Sequence, residues 1–177
     1  TMPIKSIQAP GSRDENGPQG LTASLFGNND KEKLTATAFT SEDVMAATFN
    51  TDIMTEIGKV IGNNCLSADV AILAEEAVTM DVNVILGPGL NIKRSPLCGR
   101  NFEYYSEDGF LSGKMSAYEV AAIQEKGVHV VMKHFALNDC EQDRIGLGVW
   151  LSDQAAREVY LKAFQDVFEE GNANGTM

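Results

Sequence analysis

A parallel α/β fold is predicted for this chain from three observations. Two short, β-branched apolar runs, "VNVILG" at 82–87 and "VHVVMKHF" at 128–135, fit strands covered on both faces. Long stretches with helical spacing separate and follow them, and each strand leads into a long polar loop. That alternation leaves two architectures open, a doubly wound sheet or a (β/α)8 barrel.

Taken in order, residues 1–39 are rich in Gly, Pro, Asn, Asp and Ser, carry the turn-forming run "APGSRDENGPQG", and read as mostly loop. Residues 40–177 carry the helices and βα units. Thr40 and Asp43 fit a capping box for a helix near 42–47, and Asn50 fits the cap of a second near 52–64, with Ile53, Ile57, Val60 and Ile61 on one face. Ser67 fits the cap of a third over 67–80, where Val70, Leu73, Ala74, Ala77 and Val78 fall at helical spacing. After the first strand and the loop ending near residue 108, a helix over 109–126 closes at Gly127. The last helix starts after Ser152, gains an Asp153–Arg157 pair, and turns Ala156, Tyr160, Ala163, Phe164 and Val167 inward. Met177 would begin the next strand, so the chain is expected to be a piece of a longer protein.

Composition narrows the function. The 177 residues hold 25 acidic and 14 basic side chains, a net charge of −11, and 44% hydrophobic residues, which suits one globular unit. Such a charge repels nucleic-acid phosphates and anionic headgroups, and no basic run longer than Lys93-Arg94 offsets it, so neither nucleic acid nor membrane is expected as a partner. No apolar stretch approaches the roughly 20 residues that span a bilayer. Cys65, Cys98 and Cys140 are odd in number and widely spaced, and read as reduced thiols, which leans towards a reducing compartment.

In both parallel architectures the ligand site lies beyond the carboxyl ends of the strands. That rule selects the loop "GPGLNIKRSPLCGRNFEYYSED" at 87–108 and the Lys133-His134 pair. "GPGLNI" lacks the third glycine of a dinucleotide loop, having Ile92 there. His129 and His134 are the only histidines and offer no third nitrogen ligand for zinc. No G-x-S-x-G elbow is present, and Cys98 or Cys140 beside one histidine makes a thin nucleophile pair. A neutral polyhydroxy ligand fits better: Arg100 and Lys133 donate hydrogen bonds, His134 donates or accepts, and Tyr or Phe gives a face for sugar C–H groups. Each also has a plain structural reading, Arg100 as the partner of Glu103, Lys133 as a solvated strand end and His134 as a core histidine.

The 87–108 loop followed by "KGVHVVMKHFALND" at 126–139 resembles the N-terminal barrel of family 3 glycoside hydrolases, the β-glucosidase type. "NGPQGL" at 16–21, "AATFN" at 46–50 and "REVYLKAF" at 157–164 support the resemblance. It implies a partial TIM-like (β/α)8 barrel in which Arg100, Lys133 and His134 bind hydroxyls of the sugar at the non-reducing end. The implied activity is retaining, exo-acting hydrolysis of β-glucosides by two carboxylates, with a small carbohydrate as substrate and no metal or organic cofactor.

The resemblance further implies a nucleophile in a Ser-Asp-Trp type segment downstream of the KHF strand and an acid/base later still, neither present in these residues. Asp153 in "LSD" reads as helix-capping chemistry instead. The branch with a KH-F-P-G-H-G loop does not match "KHFALNDCE". Two departures stand out. Asn16 replaces the Asp of an Asp-Gly-Pro segment, so Asn16 keeps a reduced contact, Asp14 or Glu15 takes over, or glycosides bind poorly. The stretch 63–80 is longer than usual. Part of a barrel would leave an edge strand open and an apolar inner face uncovered, so the isolated chain is expected to aggregate, to form a homo-oligomer such as a dimer, or to be only partly ordered, and the rival reading is a non-catalytic relative that binds glycans or serves as a structural module.

Overall fold

The computed structural model describes residues 14–21, 37–66 and 82–177. Among them the chain runs β1 (Asp14–Asn16), α1 (Glu42–Ala46), α2 (Thr51–Leu66), β2 (Val84–Gly89), a 3-10 turn (Asn101–Glu103), α3 (Gly109–Gln124), β3 (His129–Lys133), α4 (Asp153–Ala155), α5 (Lys162–Glu169) and β4 (Gly175–Thr176). The strands form one sheet in the order β1-β2-β3-β4, parallel throughout. The α/β class predicted from strand and helix alternation is the class observed. The proposed helix over 67–80 lies outside the described residues.

Several local expectations hold. Asn50 caps α2 through its side-chain oxygen, which accepts from the N–H groups of Asp52 at 2.9 Å and Ile53 at 3.2 Å. Gly127 sits at φ +86°, a left-handed conformation suited to glycine after a helix. The Ser152 hydroxyl accepts from Ala155 N–H at 3.2 Å.

Others are corrected. Residues 14–16 are a strand, not loop: Asp14, Glu15 and Asn16 pair with Val84, Ile85 and Leu86. Three polar residues carry no apolar alternation, so only pairing with a neighbouring strand reveals them. The Thr40–Asp43 capping box does not form; Ser41 is the N-cap residue and its hydroxyl donates to Asp43 instead of capping the backbone. Around Ala156–Tyr160 the helix takes a π turn, whose extra residue rotates the first turn away from the core. Ala156 and Tyr160 are therefore only half-buried while Ala163, Phe164 and Val167 are buried, and Gln154 reaches Glu158 where an Asp153–Arg157 pair was expected. β4 starts at Gly175, two residues early, and Met177 continues its pairing by donating to the Met132 carbonyl at 2.9 Å.

The core lies between the sheet and its helices. Ile85, Val130 and Met132 meet Met54, Ile61, Val120, Ile123, Phe164 and Val167, all essentially without water contact. At full burial each such side chain contributes roughly 1.5–3 kcal/mol. Gly58 lets α2 approach α3 closely: a Cβ there would stand 2.4 Å from the Glu119 carbonyl oxygen. Among the described residues no helix is long and apolar enough to cross a membrane. This packing fixes the strands, whose carboxyl ends point to one side and set the position of the cavity.

Candidate functional site

Asn16 ends β1 and Lys133 ends β3, so parallel pairing through β2 brings residues 117 positions apart to one rim. The Lys133 ammonium donates to Asn16 Oδ1 at 3.1 Å and pairs with Glu103 Oε2 at 2.8 Å. Glu103 closes the 3-10 turn and also receives Arg100 through both carboxylate oxygens, Nε to Oε1 at 2.7 Å and Nη2 to Oε2 at 3.1 Å. Burial pushes the Glu103 carboxyl up, but hydrogen bonds from Arg100 and Lys133 together outweigh it and hold the group below the ordinary carboxylate range. One carboxylate thus fixes two cations, a forked guanidinium and a point-charged ammonium.

These groups border an open cavity of about 270 Å³ beyond the strand ends, lined among others by Asn16, Gln19, Glu42, Arg100, Phe102 and Lys133. Phe102, half exposed, is the aromatic residue on the cavity's lining. The two tyrosines of the loop do not: Tyr104 and Tyr105 are buried, Tyr104 bonding His134 and Asn138, Tyr105 donating to Glu119 at 2.5 Å. Nor do all the loop's cations serve the cavity. Lys93 pairs with Asp43 at 2.9 Å, and Arg94 lies over the Tyr160 ring at 5.6 Å.

Of the four residues predicted to bind ligand, Asn16, Arg100 and Lys133 meet on this cavity. His134 sits beside it, half-buried, with Nδ1 3.3 Å from the Tyr104 hydroxyl and its backbone clamped by the Asn91 amide at 2.8 and 3.0 Å. Burial, with the charges of Arg100 and Lys133, lowers its pKa to about 4, so the ring is neutral at pH 7. Lys133 is buried, not the solvated strand end of the plain reading. Neither Asp14 nor Glu15 lines the cavity; Glu15 is buried on the opposite face of β1 from Asn16.

Sequence reasoning passed over Asn91, Gln19 and Glu42. Asn91 follows the strand-end "GPGL", a position the parallel-sheet rule marks as a candidate. Glu42 reads in sequence as an acidic first-turn residue, yet it is fully buried, and burial raises its carboxyl to about 7. Among the described residues no group of three or more His, Cys, Asp or Glu is placed to hold a metal ion.

A parallel sheet with helices packed against it and an ion-paired cavity at its strand ends is the arrangement of a barrel-type α/β unit. The chain belongs to glycosyl hydrolase family 3, whose N terminal domain matches residues 25–177. It is 36% identical over 165 residues to the probable beta-glucosidase I of Emericella nidulans, covering 93% of this chain and 18% of that protein. With beta-glucosidase A of Butyrivibrio fibrisolvens it shares 38% over 167 residues, 94% of this chain and 18% of that one. The fold superposes on beta-glucosidase 3B of Thermotoga neapolitana, solved in complex with alpha-D-glucose, with a TM-score of 0.88 and 35% identity, over 100% of this chain and 23% of that chain. The four strands are accordingly part of a TIM-like barrel, and the chain spans about a fifth of the length of these relatives.

Proposed function

We propose that these residues form the sugar-binding part of a retaining, exo-acting β-glucosidase, with Asn16, Arg100, Lys133 and His134 holding the ring at the non-reducing end. The observation that carries this reading is the Arg100–Glu103–Lys133–Asn16 network on one open cavity at the strand ends. Its donors match hydroxyl oxygens, and Phe102 offers an aromatic face for ring C–H groups. The substrate is a small β-glucoside, bound without metal or organic cofactor.

Hydrolysis with retention needs two carboxylates. One attacks the anomeric carbon and expels the leaving oxygen, which a carboxylic acid protonates; that group then takes a proton from water as water displaces the enzyme carboxylate. Both are assigned to residues outside these 177, and this chain supplies binding and orientation. The 177 residues alone therefore turn over no aryl β-glucoside.

The test is anomer-resolved NMR of a β-glucoside cleaved by the protein at its full encoded length. Release of β-glucose first, with no turnover by the 177 residues alone, supports the assignment; α-glucose first, or turnover by the 177 residues, overturns it. The amide at Asn16, engaged with Lys133, favours a second reading as a glycan-binding relative without hydrolysis. Saturable glucose binding with no turnover at full length would select it.

A further inference from the structure

The sugar cavity has a donor excess in its wall. Arg100 and Lys133 are donors only, Glu103 already takes three charged hydrogen bonds, and the Asn16 oxygen accepts from Lys133. A sugar hydroxyl both accepts and donates, so a ring held by those groups needs acceptors for its own protons.

Gln19 borders the same cavity and is half-buried. Its side-chain nitrogen donates twice, to Glu42 Oε2 and to the Phe102 carbonyl. The Phe102 carbonyl can only accept, which fixes the amide with its nitrogen towards Phe102 and Glu42 and its oxygen turned away. Two bonds exhaust the donors of that nitrogen, and the oxygen makes no hydrogen bond among the described residues. Glu42 is fully buried, engages Gln19 through one oxygen and, among the described residues, leaves the other without a partner, so its bond to Gln19 is the side-chain contact that gives it a role.

We infer that Gln19 is a specificity-determining residue of the cavity, accepting one sugar hydroxyl on its side-chain oxygen, with Glu42 and the Phe102 carbonyl as its positioning groups. The inference rests on the sugar-subsite reading above. It assigns the acceptor function that Asn16, engaged with Lys133, supplies only as a neutral amide.

Calorimetry on the protein at full encoded length, with glucose and its 2-, 3-, 4- and 6-deoxy analogues, tests it. One analogue is expected to bind about tenfold more weakly than glucose to the unmodified protein, and as well as glucose to Gln19→Leu. Glu42→Gln, which keeps an acceptor for Gln19, retains that discrimination, whereas Glu42→Ala loses it. Equal ratios for every analogue in the unmodified protein and Gln19→Leu, with glucose binding abolished by Arg100→Ala, overturn the role of Gln19 and leave the subsite standing. Should Gln19→Leu not fold, retained discrimination in Glu42→Ala overturns it. Absence of glucose binding by the unmodified protein overturns both readings.

Discussion

Glu103→Ala puts the buried charge network to a quantitative test. The substitution leaves the Lys133 ammonium, only 5% exposed at its side chain, with the neutral Asn16 amide as the partner described above. Removing one member of a buried pair costs about 3–5 kcal/mol, because the remaining charge stays desolvated. Arg100 is 23% exposed and has Glu141 at 3.8 Å, so its lost bonds add about 1 kcal/mol or less. The expected loss is about 4 kcal/mol, a fall in Tm on the order of 10 °C for a domain of this size. Urea unfolding at pH 7 measures it, with an unchanged denaturant slope as the check that the same surface unfolds. Glu103→Leu combined with Lys133→Met should recover most of the loss, since an apolar pair replaces both charges. A loss under about 1 kcal/mol, the range of exposed pairs, would refute the claim that this network is effectively buried.

Further outcomes follow from the same geometry. Burial raises Glu42 to about 7, with the Glu103 charge adding to it, and raises Glu119 to about 8, with the Glu42 charge adding to it, so the stability they contribute is full below the ordinary carboxylate value of 4.5 and is lost as pH rises through about 7 and 8; unfolding free energy should fall from pH 5 to 8, and Glu119→Gln should flatten the upper part of that fall. The depressed Glu103 acts oppositely, its contribution being present above 4.5 and lost as acid titrates the folded carboxylate, so Glu103→Gln should weaken the acid limb of a urea series. With its pKa lowered to about 4, the His134 ring should show constant NMR shifts from pH 5.5 to 8; a midpoint inside that range would contradict its placement beside Arg100 and Lys133. Gly58→Ala puts a Cβ 2.4 Å from the Glu119 carbonyl oxygen and should cost about 1–3 kcal/mol in urea unfolding by forcing α2 off α3.

The parts of the fold written in local apolar pattern were legible. β2 and β3 show as β-branched runs, with Ile85, Val130 and Met132 buried on one face while Val84, Leu86 and Val131 on the other are only half-buried, and α3 ends at Gln124, shortly before the left-handed Gly127. β1 was not, because Asp14, Glu15 and Asn16 gain strand character from pairing with β2 and from nothing in their own side chains. The π turn at Ala156–Tyr160 was equally hidden, since a one-residue slip leaves helical spacing on either side intact. At the site, the strand-end rule located Arg100, Lys133 and His134, and the family resemblance added Asn16. Glu103 was visible only as a neighbour of Arg100; its grip on Lys133 spans the sheet and has no signature at short range. Glu42 and Gln19 are 23 residues apart, and the burial that gives their contact meaning comes from tertiary packing around α1.

If the cavity at the strand ends is a sugar subsite, glucose occupies it in the whole protein. A crystal structure of the protein at full encoded length, grown with saturating glucose, addresses it most directly. One ring is expected in the cavity, with hydroxyls within hydrogen-bond distance of Arg100 and Lys133 and a ring face against Phe102. A cavity filled only by solvent under those conditions, or glucose seated elsewhere with Arg100 and Lys133 untouched, would contradict it.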